Sequence, residues 1–126
     1  MTGKRVLVVE DQHVLLEALL EALVQMFPTW EFVGVATVDE AERVLARSRF
    51  DVLVLDFRVG EHTIETVTAL LERLRRTPTV IASGYVTTEE YERLREATEA
   101  PITIVKKPFD RWALKRAIDR VTAVTQ

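Results

Sequence analysis

Cysteine is absent from the 126-residue chain. No disulfide framework and no thiol chemistry can therefore contribute, which suits a reducing compartment. Long apolar runs are missing as well. Nothing approaches the length needed to span a bilayer, and the first strand-like run begins within a few residues of Met1, which leaves no room for a signal peptide. A charge excess is lacking: 17 Lys and Arg stand against 20 Asp and Glu, a net charge of -3, so neither a nucleic-acid footprint nor a strongly acidic tail is visible. No glycine-rich P-loop segment occurs, which leaves nucleotide binding unsupported. The two histidines, His13 and His62, have no second histidine or cysteine at metal spacing and read as surface residues. These absences predict a soluble, cytoplasmic protein with no membrane attachment and no direct nucleic-acid partner.

What remains fits one compact domain over 1–126, since the length lies in the single-domain range and 48% hydrophobic content can build one core. Strand-like and helix-like segments alternate, the mark of α/β organisation. Leu15, Leu19, Ala22, Leu23 and Met26 recur at helical spacing before Pro28, and a strand follows near 31–36. Asp39 reads as the N-cap of a second helix carrying Ala41, Val44 and Leu45. Ile64, Val67, Leu70, Leu71 and Leu74 mark a third, and a polar fourth over 88–98 has Tyr91 and Leu94 as its main apolar residues. The fifth, opened by Asp110, carries Trp112, Leu114, Ala117, Ile118 and Val121. Arg73, Arg75 and Arg76 read as a solvated helix face.

Four apolar, β-branched runs each end on a reactive side chain. Val6-Leu7-Val8-Val9 runs into Glu10-Asp11, Val52-Leu53-Val54-Leu55 into Asp56, Thr79-Val80-Ile81-Ala82 into Ser83, and Ile102-Thr103-Ile104-Val105 into Lys106-Lys107-Pro108. If these are parallel strands, three carboxylates, a hydroxyl and an ammonium gather at the carboxyl edge of one sheet, where open α/β sheets bind ligands. Carboxylates brought together raise one another's pKa or draw in a cation. An all-oxygen set suits Mg²⁺, which binds through one or two carboxylates and fills its octahedron with water or phosphate oxygens. Lys107 and Ser83 would then meet the equatorial oxygens of a phosphoryl group, with Asp56 as nucleophile. Taken singly, Asp11 reads equally well as a helix N-cap and Ser83-Gly84 as a turn. Independent caps and turns have no reason to fall on four different strand ends.

With these residues in this order, the chain resembles the receiver domain of two-component response regulators from Lys4 to about Val124. The resemblance implies a doubly wound (βα)5 flavodoxin-like fold, a five-stranded parallel sheet of order 2-1-3-4-5 with its switch point between strands one and three. It implies that Glu10, Asp11, Asp56 and the backbone carbonyl of Arg58 hold Mg²⁺. In the same pattern Asp56 is the phosphoacceptor, Ser83 the switch hydroxyl, and Lys107, followed by Pro108, the lysine that meets the phosphoryl group. A histidine kinase or histidine phosphotransfer protein would supply the phosphoryl group, and a partner, or a homodimer through the helix four, strand five and helix five face, would read the change. The protein would then be a phosphoacceptor regulator, acting only in its own phosphorylation and dephosphorylation, with no output domain attached.

Departures from the pattern bear on the switch. The loop after Asp56 is Phe57-Arg58-Val59-Gly60-Glu61-His62, with Gly60 where proline is usual. Ile104 occupies the position of the aromatic switch residue. Tyr85 has two readings: a substitute for that aromatic, or a half-buried loop residue covering the end of strand four. Arg58 and Tyr85, two residues beyond Asp56 and Ser83, flank the path of the hydrolytic water in the receiver pattern. Two other classes stay open, a phosphorylation-independent docking module and an aspartyl-phosphate hydrolase. The second needs an aspartate two residues beyond the nucleophile, where this chain has Arg58.

Overall fold

β-branched runs flanked by amphipathic helices fold as their patterning dictates. The structure is a computed structural model that describes residues 3–57 and 63–123. Elements alternate as β1 (Arg5–Val9), α1 (His13–Met26), β2 (Glu31–Val35), α2 (Val38–Leu45), β3 (Val52–Asp56), α3 (Ile64–Arg73), β4 (Thr79–Ser83), α4 (Thr88–Glu96), β5 (Ile102–Lys106) and α5 (Arg111–Ala123). All pairings are parallel and the sheet order is β2-β1-β3-β4-β5, as the resemblance implies.

Central strands of such a sheet are covered on both faces and read as continuous apolar runs. β3 and β4 are buried throughout, whereas the edge strands β2 and β5 are only partly covered. Successive side chains of a strand point to opposite faces, and the core divides accordingly. Val6, Val8, Val52, Val54 and Val80 meet Leu16 and Leu23 of α1 and Leu114, Ala117, Ile118 and Val121 of α5. Leu7, Val9, Leu53, Leu55 and Ile81 meet Ala41 of α2, Val67, Leu70 and Leu71 of α3, and Leu94 of α4.

Several local expectations need correction. In the first turn of α1 the buried residue is Leu16, while Leu15 is 41% exposed; the run Val14-Leu15-Leu16 offers apolar residues to two faces and only one can meet the sheet. Trp112 is likewise exposed rather than in the core. The cap of α2 is Thr37, not Asp39: its hydroxyl accepts the Glu40 N–H at 3.0 Å, and Glu40 Oε1 accepts the Ala36 N–H at 2.8 Å. Asp11 does not cap α1, whose N-cap residue is Gln12. α4 opens on a capping box between Thr87 and Glu90 and ends at Glu96, two residues before Thr98, whose hydroxyl instead donates to the Arg75 carbonyl at 3.0 Å. Asp110 caps α5 through the Ala113 N–H at 2.9 Å. The arginines at and after the end of α3 are tied by ion pairs, Arg73 to Glu42 and Arg75 to Glu99.

Candidate functional site

Strand register brings the reactive side chains together. Val9 lies opposite Leu55, so the residues that follow, Glu10 and Asp56, leave the sheet side by side. Asp56 pairs with Ala82 and Ser83 with Lys106, which carries Ser83 and Lys107 to the same edge. Main-chain bonds fix the strand ends: the Glu10 N–H donates to the Val35 carbonyl at 3.0 Å, Phe57 to Ala82 at 2.9 Å, and Lys107 to Ser83 at 2.8 Å.

Glu10, Asp11 and Asp56 each place a carboxylate oxygen within 4.8 Å of the others. Glu10 is 1% exposed and Asp56 3%. Lys107 Nζ lies 2.7 Å from Asp56 Oδ1 and 3.7 Å from Glu10 Oε1. Burial holds the Glu10 carboxyl above the ordinary carboxylate range, and the Asp56 charge and a hydrogen bond with Asp11 push the same way. The Gln12 N–H, donating to Glu10 Oε2 at 3.0 Å, and the Lys107 ammonium oppose the rise without cancelling it. Three carboxylates facing one ammonium make an oxygen-rich, electronegative seat of the kind a hard divalent cation relieves.

Ser83 is buried, and its hydroxyl is engaged within its own loop. Oγ donates to the Tyr85 carbonyl at 3.0 Å and accepts the Tyr85 N–H at 3.2 Å. Tyr85 is 73% exposed, so it does not cover the end of β4 as a half-buried loop residue. Ile104 is half-buried on β5 and shares a cavity of about 390 Å³ with Tyr85 and Tyr91. Beside Asp56 a cavity of about 550 Å³ opens between Asp56, Ser83, Tyr85, Glu90 and Lys107. Arg58 and the loop through His62 lie outside the described residues, and so does the main-chain ligand expected there.

A second opening beside the cluster was not foreseen. An apolar groove of about 490 Å³ runs from Glu10 and Lys107 between α1 and the start of α5, walled by Leu15, Leu19, Phe109 and Leu114. The misassigned Leu15 belongs to this groove, and the surplus of apolar residues at 14–16 was the signal that could have found it.

No family model matches the sequence, and neither does any curated protein. Solved structures do match. The signal receiver domain of an HD domain-containing protein from Pseudomonas fluorescens Pf-5 superposes with a TM-score of 0.81 at 15% identity, covering 97% of this chain and 96% of that one. The chemotaxis response regulator CheY4 of Vibrio cholerae gives 0.79 at 23% identity over 95% and 99%. A response regulator from Thermotoga maritima gives 0.78 at 20% over 98% and 99%. The chain has the fold of response-regulator receiver domains. Among the described residues, no helix is long and apolar enough to cross a membrane.

Proposed function

We propose that this chain is a cytoplasmic response-regulator receiver that takes a phosphoryl group onto Asp56 from the phosphohistidine of a histidine kinase or phosphotransfer protein. The observation that carries the reading is a buried strand-end carboxylate, Asp56, held 2.7 Å from the Lys107 ammonium beside Glu10 and Asp11, under an open cavity. A carboxylate oxygen of Asp56 attacks phosphorus in line, the phosphorus–nitrogen bond breaks, and its electron pair leaves with the donor imidazole. Lys107 holds positive charge against the transferring oxygens as Asp56 spends its own charge in the new bond. Glu10, Asp11 and Asp56, with the main-chain carbonyl of Arg58, would hold Mg²⁺, which when bound neutralises charge on the phosphoryl oxygens. Ser83 must exchange its bonds to Tyr85 for one to a phosphoryl oxygen.

Val14 and Leu15, exposed on α1, and Phe109 at the mouth of the apolar groove suit docking of the donor beside Asp56. Phosphorylation adds about -1.5 to -2 charges, by analogy with other phosphorylated side chains, and release of Ser83 from Tyr85 passes the event to the α4, β5 and α5 surface. Tyr85 stands in for the aromatic missing at Ile104, since both line one cavity. The hydrolase reading loses support because Arg58 stands where an acid/base aspartate is needed.

Incubation with radiolabelled acetyl phosphate tests the reading. Base-labile label that requires Mg²⁺ is expected. A folded protein that takes up no phosphate would be a docking module instead.

A further inference from the structure

The cavity of about 550 Å³ beside Asp56 has a second carboxylate on its border, that of Glu90. Ser83 ends β4 and Thr87 caps α4, so the short connection between them returns the first turn of α4 to the sheet edge that holds Asp56. A capping box then fixes the side chain. The Thr87 N–H donates to Glu90 Oε1 at 3.0 Å, and the Glu90 N–H donates to Thr87 Oγ1 at 3.0 Å. Glu90 Oε2 takes no part in the box.

An acyl phosphate on Asp56 is hydrolysed by a water that attacks phosphorus, and such a water reacts best where a fixed acceptor orients it and takes its proton. The cavity offers few candidates. Asp56 would carry the phosphoryl group, and Lys107 and Ser83 would meet its oxygens. The Thr87 hydroxyl already accepts the Glu90 N–H. Phe57 and Gly84 have no side-chain acceptor, and Tyr85 brings only a phenol on a residue 73% exposed. Among the described residues on this border, Glu90 is the one acceptor left, and it is a carboxylate.

We propose that Glu90 orients the water that hydrolyses phospho-Asp56 and accepts its proton, so that the chain carries a built-in limit on the lifetime of its own phosphorylated state. The assignment rests on the receiver reading of Asp56. In the step, the water oxygen bonds to phosphorus while the bond from phosphorus to the Asp56 oxygen breaks, and the electron pair of that bond returns to the Asp56 carboxylate. The water proton passes to Glu90 Oε2 and then to the departing phosphate, which restores both carboxylates. Anchoring of Oε1 to the Thr87 N–H holds the base in one position, which lowers the entropic cost of meeting the water.

The test compares wild type with Glu90→Gln, each phosphorylated by radiolabelled acetyl phosphate with Mg²⁺, freed of donor, and followed for loss of label in ordinary and in heavy water. Glutamine serves a capping box as glutamate does, so the melting temperature should not change. Decay of the label is expected to slow by roughly tenfold or more, with a smaller solvent isotope effect in the variant, because assisted proton transfer has been removed. A variant that loses label as fast as the wild type, or faster, would overturn the assignment. So would slower decay that keeps the wild type's isotope effect, which would mark Glu90 as structural. A wild type that takes up no label would remove the receiver reading and this assignment with it, whereas equal decay of label in the two proteins removes the assignment alone.

Discussion

Lys107 Nζ sits 2.7 Å from Asp56 Oδ1 while lying 3.7 Å from Glu10 Oε1, so one ammonium serves two buried carboxylates and favours the one at the end of β3. Removing it leaves carboxylates facing one another with no cation between them. Such loss of one partner from a buried pair costs on the order of 3 kcal/mol. Lys107→Met should therefore lower the urea midpoint measured in chelator at neutral pH, and should slow phosphorylation from acetyl phosphate. A variant as stable and as reactive as the wild type would remove Lys107 from both roles.

Glu10 carries a pH signature. Its carboxyl is raised in the folded chain, chiefly by burial, so the native state keeps this proton to higher pH than the unfolded state does. Its contribution to stability is fully present below the ordinary glutamate value, near 4.5, and is lost as pH rises through the raised folded value. Glu10→Gln keeps an acceptor for the Gln12 N–H and removes the titration. Relative to wild type, the variant should gain stability between acidic and neutral pH in chelator, read by urea unfolding across a pH series. An unchanged difference across that range would contradict the assigned cause.

Much of this site was legible because a parallel sheet puts consecutive strand ends at one edge, so four apolar runs each closed by a reactive residue announce a cluster before any coordinate is known. Register then does the rest, setting Glu10 beside Asp56. Less legible were features decided by packing. Val14, Leu15 and Leu16 satisfy helical spacing in more than one phase, and only contact with Val6 and Val8 selects Leu16. Thr37 and Asp39 are both good caps, and the glutamate three residues beyond Thr37, whose carboxylate accepts the Ala36 N–H, was the overlooked signal. The ring between Ser83 and Tyr85 has no sequence signature, because a serine before glycine fits a turn, a switch hydroxyl, or both.

Magnesium should stabilise the protein through the carboxylate cluster. At about tenfold excess over its dissociation constant, a ligand specific for the native state adds roughly 1.4 kcal/mol. The melting temperature should rise with Mg²⁺ in the wild type and stay flat in Asp11→Ala. An equal rise in both would place the ion elsewhere.

Lifetime of the phosphorylated form should depend on Arg58 and Tyr85. They stand two residues beyond Asp56 and Ser83 in the sequence, positions that flank the path of the hydrolytic water in the receiver pattern, and Tyr85 borders the cavity above Asp56. Arg58→Ala/Tyr85→Ala should shorten the half-life of the phosphate, followed by loss of label after donor removal. A phosphate that lasts as long as in the wild type would exclude shielding by these side chains.

The most direct measurement is the location of the phosphoryl group. Borohydride reduces an acyl phosphate to an alcohol, leaving a permanent mass change that peptide sequencing by mass spectrometry assigns to one residue. After phosphorylation with acetyl phosphate and Mg²⁺, the reduced side chain is expected at Asp56 alone, and at no position in Asp56→Asn. Reduction at Asp11, at Asp51 or at any other carboxylate, or an unchanged yield in Asp56→Asn, would contradict the assignment of Asp56 as the phosphoacceptor.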